Sequence, residues 1–327
     1  YDAVTQYAFS AKLGGIFYLK DLEGDTNESL SNSTLNASLS HSFDQTLRYN
    51  GSLSFAWQPE PNYSNGIANS RRDGDYIYVY VSSSLSKAWT TRYSTTVGAS
   101  YSMIDYQEDS AKTDNRQYFN LNLNNRYKWT ERLALSINWN GSYCDREYGN
   151  NEFSNFVMAG AEYAVAQNTS ATLRVGPQFK HVDNYGTKTY PSAEFGLNHR
   201  MSDRFSLGMF VRYSNEATNT YVPQTGASYY SNETWRVGLT STMKVTHRVS
   251  LNAGVNLISS DYSRPSSSST DTKTLTFNAT AGVKMMLTNV LALTAQYSYT
   301  NGSYSGYNFP MPSYNRNVFS FGMNYSF

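Results

Sequence analysis

Apolar and polar residues alternate with a period of two along most of this sequence. Residues 47–57 carry Leu, Tyr, Phe or Trp at most odd positions and Arg, Asn or Ser at most even ones, and residues 205–213 and 275–287 repeat the scheme. Successive side chains of a β-strand face opposite sides, so each segment has one apolar and one polar face. No segment sustains a helical period. The sequence therefore predicts an all-β chain.

Two kinds of connection separate the alternating segments. Seven are short turns, at residues 43–46, 87–90, 128–131, 166–169, 201–204, 245–248 and 287–290. Eight are longer polar links, at residues 22–30, 58–74, 107–115, 145–152, 183–189, 215–231, 260–273 and 301–314. Strict alternation of short and long connections predicts 16 strands, with both termini at the short-turn end.

This arrangement is typical of a bacterial outer-membrane protein, in which short periplasmic turns and long outer loops join an even number of strands. A lipid-spanning sheet must close on itself, because an open edge would leave backbone groups unpaired in hydrocarbon. We therefore predict one closed antiparallel transmembrane β-barrel of about 16 strands over residues 1–327, with residues 1–12 as a periplasmic lead-in. The alternative is a soluble β-sandwich or β-solenoid, which should carry charges on its wet face or a fixed repeat motif. Here the polar face is mainly Ser, Thr, Asn and Gly.

Composition excludes several other classes. The chain has no 18-residue apolar run that would form a transmembrane helix, and its net charge of +1 argues against nucleic-acid binding. Cys144 is the single cysteine, which excludes a disulfide framework. The four histidines lack metal-ligand spacing, no Gly-rich phosphate loop opens a helix, and His181 beside Asp183 is a weak catalytic signal. The sequence predicts no enzyme activity, no metal and no cofactor.

The C-terminal segment ends in a specific pattern. A polar residue, a glycine, an aromatic residue and a terminal aromatic residue occur at Ser320, Gly322, Tyr325 and Phe327. This pattern resembles the β-signal by which the bacterial barrel-assembly machinery recognises outer-membrane proteins. As a whole, the chain resembles the porin-2 type of β-barrel porins, which often occur beside exopolysaccharide loci. The resemblance implies an outer-membrane pore and leaves its cargo open.

Strand parity also sorts the charged residues by side. If the apolar face meets lipid, the lumen receives a set of basic residues, most of them close to a short turn: Arg48, Arg92, Arg126, Arg174, Arg204, Arg212, Arg236, Lys244, Arg248 and Lys284. A basic belt at the periplasmic mouth would favour anions, because fixed charges in a narrow passage focus the potential. Alternatively, Lys and Arg at strand ends extend to the lipid headgroups. Glu162 and Glu194 are candidate ion-pair partners for these arginines.

Residues 76–86 depart from the alternation, since they are apolar on both faces at their start. With Ile77, Val79 and Val81 toward lipid, the opposite face would carry a tyrosine ladder of Tyr76, Tyr78 and Tyr80. Stacked tyrosines could guide sugar rings by apolar contact while their hydroxyls bind the sugar. The alternative is that the ladder packs against an inward-folded link such as residues 58–74.

Three functions remain open at this point. The first is passive diffusion of small hydrophilic solutes through a porin-like channel that prefers anions. The second is export of polysaccharide with periplasmic partners, and the third is a loop-plugged barrel that serves as a surface scaffold or adhesin. The expected location is the bacterial outer membrane, with both termini periplasmic. The expected partners are outer-membrane lipids, the barrel-assembly machinery and, for an oligomeric porin, further copies of the chain.

Overall fold

A closed antiparallel barrel of 16 strands forms the whole described part of the chain apart from its connections. The computed structural model describes residues 4–18, 32–58, 75–107, 112, 115–147, 149–217, 221–222, 227–263, 272–305 and 313–326. The barrel confirms the fold class that the alternation predicts, including the number of strands. Its strands are 10–15 residues long, which is enough to cross a bilayer on a tilt.

The strands are numbered in chain order. Their bounds are β1 (Val4–Tyr18), β2 (Ser33–Ser42), β3 (Leu47–Gln58), β4 (Tyr76–Ala88), β5 (Tyr93–Tyr106), β6 (Arg116–Lys128), β7 (Leu133–Arg146), β8 (Glu152–Ala166), β9 (Thr169–Val182), β10 (Gly186–Arg200), β11 (Phe205–Asn215), β12 (Tyr221–Val222), β13 (Ala227–Ser228), β14 (Ser231–Lys244), β15 (Val249–Ser263), β16 (Thr272–Met286), β17 (Leu291–Ser305) and β18 (Tyr314–Ser326). All of them belong to the barrel except β12 and β13, which pair with each other inside the link between β11 and β14.

Alternation along each strand separates an apolar outer face from a polar inner face. In β3, Leu53 and Trp57 are about half exposed, whereas Ala56 between them is buried. The apolar side chains of the outer face repeat around the barrel, as in Leu121, Ile137 and Leu173. A closed barrel has its interior on one side only, so this exposed apolar face is the one that suits lipid.

Six of the seven short turns share one hydrogen-bond arrangement. In the structure these six turns comprise residues 43–46, 89–92, 129–132, 201–204, 245–248 and 287–290, so two of them lie one or two residues later than predicted. The second residue of each turn is Asp, Ser or Thr, and its side-chain oxygen accepts hydrogen bonds from the backbone N–H groups two and three residues later. For example, Thr90 Oγ1 accepts from Arg92 N at 3.1 Å and from Tyr93 N at 2.9 Å. The same role belongs to Asp44, Thr130, Ser202, Thr246 and Thr288. Each turn therefore satisfies its own backbone donors and fixes the register of its hairpin.

One predicted long link is wrong. Residues 183–189 were expected to form a long connection, but residues 183–185 make a three-residue turn between β9 and β10. Asn184 and Gly186 adopt positive φ angles of 69° and 78°, which allow the chain to reverse within so few residues. The strict alternation of short and long connections therefore fails at this one position, while the strand number is unchanged.

The barrel closes where β1 pairs with β18. Gly14 and Gly322 lie opposite each other in this pairing. A Cβ atom on Gly14 would stand 2.5 Å from the backbone oxygen of Phe321, and one on Gly322 would stand 2.8 Å from Cε of Lys12. The close approach to backbone therefore concerns Gly14, whereas Gly322 of the C-terminal pattern lies beside the flexible end of the Lys12 side chain.

Both described ends of the chain lie at the short-turn end of the barrel. Val4 pairs with Ser42, next to the first short turn, and Ser326 pairs with Ser10. Residues 4–12, suggested by the sequence as a lead-in, form the first part of β1 and thus belong to the barrel wall.

Candidate pore lining

The lumen differs between its two ends. At the short-turn end, inward-facing residues such as Asn252 and Thr242 are exposed. At the long-link end of β14–β17, inward-facing residues are buried, and Thr234, Ser260 and Thr276 are at most 1% exposed. The pore lining is therefore open to water at one end and covered along one wall at the other.

The basic residues predicted for the lumen fall into two groups. Six of them lie in or beside short turns: Arg48, Arg92, Arg204, Lys244, Arg248 and Lys284. Within the described part of the chain, none of these six has a carboxylate within ion-pair distance; Arg48 instead donates from Nε to Ser40 Oγ at 2.9 Å. The other four arginines lie at different positions along the pore axis, and each forms an ion pair with a carboxylate. Only the first group thus lies together at the short-turn end, and it is called the basic mouth here.

The remaining four arginines, here called the arginine row, are Arg126, Arg174, Arg212 and Arg236. Cross-strand pairing places them on one line around the inner wall. The line starts at Arg126 and passes Ser136 and Gly160 to reach Arg174. It then passes Glu194 to reach Arg212 and Arg236. Barrel strands tilt by about 35–45° from the barrel axis, so a line perpendicular to the strands climbs along the pore. The row therefore rises diagonally from the short-turn end on β6 toward the long-link end on β14.

Each arginine of the row has a carboxylate partner. Arg126 Nε lies 2.8 Å from Glu162 Oε2, and Arg174 Nη1 lies 3.4 Å from Glu194 Oε2. These two contacts confirm the partners that the sequence suggested. Because positive and negative groups adjoin along the whole line, the row presents both signs to the pore.

Glu216, immediately after β11, is the partner of the other two arginines. Arg236 donates to both carboxylate oxygens at 2.6 Å, and Arg212 Nη2 donates to Oε1 at 2.8 Å. The backbone oxygen of Glu216 also accepts from Lys180 Nζ at 2.8 Å. The start of the β11–β14 link is thereby held against the inner wall of the barrel.

Two neighbouring groups reinforce this attachment. Asn215 N donates to Gln178 Oε1 at 2.9 Å, and Gln178 Nε2 donates back to Asn215 O at 2.6 Å. At the far end of the link, Tyr229 is fully buried against the inward-facing Tyr262, with 5.4 Å between ring centroids. Both described ends of the link therefore lie inside the lumen.

The pKa of Glu216 reflects these contacts. Burial by itself would raise the pKa of this carboxyl, but the guanidinium groups of Arg236 and Arg212 outweigh burial and lower the pKa to about 2. The carboxylate is consequently charged at any pH near neutrality.

A second buried ion cluster, on Glu152, was not anticipated from the sequence. Its carboxylate contacts Arg146 Nη2 at 2.8 Å and Lys180 Nζ at 3.0 Å. Parity places Glu152, Arg146 and Lys180 on the inner face, and this was the available signal. Their contact depends on the register between β7, β8 and β9, which alternation within one strand does not give.

A cavity of about 620 Å³ lies beside these charged groups, along the inner side of the neighbouring strands β6–β11. Its lining combines the charged pairs on β9–β11 and Glu216 with inward-facing amides on β6 and β7, namely Asn120, Asn122, Asn124, Asn138 and Asn140. A volume in this range suits a small organic solute.

The tyrosine ladder lies on the inner face, as its register with Gln58, Ala56 and Ser54 shows. Tyr76 is nevertheless buried, in a cluster with Tyr106 and Ile104, and its hydroxyl donates to Gln58 Oε1 at 3.0 Å. Tyr78 packs against that cluster and stacks on Tyr80 with 6.5 Å between ring centroids. Tyr76 is thus a packing residue, whereas Tyr80 remains half-buried.

Several other predicted features have a place in the structure. The link at residues 58–74, proposed to cover the ladder, lies outside the described residues except for Gln58, and so does Phe327. Ser320 and Gly322 lie on the inner face of β18 by register, and Tyr325 is exposed on the outer face.

One histidine of the described residues lies near a carboxylate. His181 Nε2 stands 3.9 Å from Asp183 Oδ1 with both side chains about half exposed. Among the residues described, no group of three or more His, Cys, Asp or Glu side chains could hold a metal ion. Within the same residues, no helix is long and apolar enough to cross a membrane.

Comparison with known proteins adds to this geometry. Residues 171–327, just under half of the chain, match the outer membrane protein beta-barrel domain family. The chain resembles outer-membrane β-barrel proteins. Together with the exposed apolar outer face, this fold indicates a location in the bacterial outer membrane.

Solved structures support the fold. The in-vitro folded OmpT, an outer membrane protein of Vibrio cholerae, is 10% identical with a TM-score of 0.51, covering 99% of this chain and 98% of OmpT. A loop L8 deletion mutant of the same protein is 12% identical with a TM-score of 0.50, covering 99% of both chains. Identity this low supports the fold alone. No curated protein matches the chain.

Proposed function

We propose that this barrel is an outer-membrane channel for passive diffusion of small hydrophilic solutes. The observation that carries the proposal is the polar lumen, which is open at the short-turn end and continues into the cavity of about 620 Å³ beside the arginine row. A barrel of this strand number is wide enough to leave an aqueous passage. The start of the β11–β14 link, held inward by Glu216, narrows that passage.

Charge selectivity would arise at the basic mouth rather than at the arginine row. The row pairs each arginine with a carboxylate, whereas the six basic residues at the short turns have no such partner in the described part of the chain. A mouth of one sign raises the local concentration of anions. The channel should therefore prefer anions modestly.

Planar-bilayer conductance under a salt gradient tests both points. The purified barrel should conduct, with a reversal potential that shows anion preference. Replacing Arg48, Lys244 and Lys284 together with Gln should move that potential toward zero, whereas Lys273→Gln on the outer face is the matched control. Absence of conductance would remove the channel proposal, and an unchanged reversal potential in the triple variant would remove the role of the mouth.

A specific observation favours a second candidate, the loop-plugged scaffold or adhesin. The inner wall of β14–β17 is buried at its long-link end, so the lumen there is filled on one side. A plugged barrel should stay silent in the bilayer even when Glu216 is replaced. A channel should conduct, and that difference separates the two candidates.

Orientation and partners follow from the same proposal. Short turns and both termini would face the periplasm and the long links the cell exterior, as is general for such barrels. Outer-membrane lipids would meet the apolar face, and the barrel-assembly machinery would recognise the C-terminal strand. Protease added to intact cells should cleave the long links and leave an epitope fused at the N-terminus untouched.

A further inference from the structure

The cavity beside the arginine row has one wall made of amides. Asn122 pairs in register with Asn140, and Asn124 pairs with Asn138, so four amides form a compact patch across β6 and β7. All four are half-buried and line the cavity. An asparagine amide offers two donors and an acceptor without net charge. This wall can therefore both donate to and accept from a solute.

The charged part of the same wall, on β8–β11 and Glu216, carries groups of both signs. The side chains of Arg174 and Glu194 are 39% and 36% exposed and lie 3.4 Å apart. Three carboxylates and two arginines line the cavity, and the three cations behind them, Arg146, Lys180 and Arg236, are buried with side chains at most 7% exposed. The buried cations pair with Glu152 and Glu216 and do not face a solute. An ion of either sign thus meets an opposing charge as well as an attracting one.

An aromatic ring interrupts the amides. Phe156 pairs with Asn140 on one side and Gln178 on the other, and it lines the cavity half-buried. Such a ring offers a flat apolar face among hydrogen-bonding groups. Two buried polar atoms of the lining, Asn124 Oδ1 and Arg212 Nε, have no hydrogen-bond partner within the described structure. One is an acceptor and the other a donor.

We propose that this cavity is a binding site for a neutral saccharide of one or two rings. Sugar hydroxyls both donate and accept, which matches the amide wall, and the apolar face of a pyranose ring matches Phe156. The mixed charges on β8–β11 and Glu216 add hydrogen bonds and expose an ion of either sign to a repelling group. The inference rests on the proposed channel function, since the sugar reaches the site through the lumen, and it names the solute class of that channel.

Sugar block of the ion current tests the site. Sucrose is titrated against the conducting barrel, with a polyethylene glycol of similar mass as the size control and sodium glucuronate as the anionic probe. Sucrose should reduce the current at concentrations where the glycol has no effect. In the double variant N122L/N140L, the concentration for half-maximal block should rise about tenfold or more, because two hydrogen bonds are lost.

A control variant distinguishes an effect on the saccharide site from a general effect on the pore. Asn252→Leu changes another inward-facing asparagine, on β15 at the open end of the lumen, and should change the half-blocking concentration less than about twofold, because the side chain lies outside the cavity. Folding of each variant is checked by the heat-dependent migration of the barrel in detergent gels.

The outcomes distinguish this inference from the channel itself. Conductance that sucrose and the glycol reduce equally, or a block unchanged in N122L/N140L, overturns the saccharide site and leaves the channel. Block by glucuronate at lower concentration than sucrose overturns the neutral class. If the barrel is silent, calorimetric titration of sucrose into the detergent-solubilised protein decides the matter. Binding that N122L/N140L abolishes supports the site without the channel, and no binding overturns the site.

Discussion

Replacement of Glu216 by Gln should release the β11–β14 link from the wall of the pore. The pKa of Glu216 lies at about 2, compared with an ordinary value of 4.5. At 1.36 kcal/mol for each pKa unit, this difference corresponds to about 3 kcal/mol of preference for the ionised carboxylate in place. Removal of one partner from a buried ion pair costs a similar amount, about 3–5 kcal/mol. The ratio of barrels whose link is released to barrels whose link is held should therefore rise about 100-fold.

Single-channel recording measures this ratio as the frequency of upward conductance steps. Glu162→Gln is the matched control, because it also removes a carboxylate from the arginine row. The side chains of Glu162 and Arg126 are about one-third exposed, so that pair should contribute only about 0–1 kcal/mol. The step frequency in this control should change less than about fivefold.

The attachment of the link through Glu216 should weaken in acid. The pKa of Glu216 is depressed in the folded barrel, so the attachment is fully present above the ordinary value of 4.5 and is lost as the pH falls toward 2. Upward steps should therefore become frequent in the wild-type barrel over that window, while Glu216→Gln should show them at every pH. Equal step frequencies in the Glu216 and Glu162 variants, in barrels that migrate as folded, would refute the reasoning.

Two further predictions concern the barrel wall. Thr90→Ala should lower the free energy of unfolding by about 1 kcal/mol, because two backbone N–H groups lose their acceptor. The control, Thr91→Ala in the same turn, should change the free energy of unfolding by less than about half of that. Urea titration in detergent compares the two variants, and equal losses would contradict the role of Thr90 in the turn. Gly14→Ala should destabilise the seam by about 1–3 kcal/mol because its Cβ would strike the Phe321 backbone. Gly254→Ala is the control, since the nearest backbone atom to its Cβ would stand 3.7 Å away. Equal melting temperatures of the two variants in detergent would argue against the close approach at Gly14.

Much of the fold could be predicted because the bilayer leaves few alternatives. A strand with one apolar face must expose it to lipid, and a closed sheet then assigns the other face to the lumen. The inner position of Arg126 and Arg236 followed from parity alone. The three-residue turn at Asn184 was missed, although Asn and Gly two residues apart are the residue types that adopt positive φ.

The candidate site was less predictable, because it depends on register between strands. Parity places Arg174 and Glu194 on the inner face, but their adjacency requires the pairing of β9 with β10. The position of Glu216 depends on how the β11–β14 link folds, and no local pattern in the sequence indicates an inward turn. The buried state of Tyr76 depends in the same way on Tyr106, from the neighbouring strand.

The shared hydrogen-bond arrangement of the short turns has a consequence for how such a barrel can diversify. A slip of one residue would exchange the lumen and lipid faces of a strand, so register must be set somewhere. Six hairpins set it locally, through an Asp, Ser or Thr such as Thr246. The register of each of these hairpins is therefore set independently of the other hairpins. The links on the opposite side can change in length and composition without displacing a wall residue, so variation at one membrane surface leaves the register of the barrel wall unchanged.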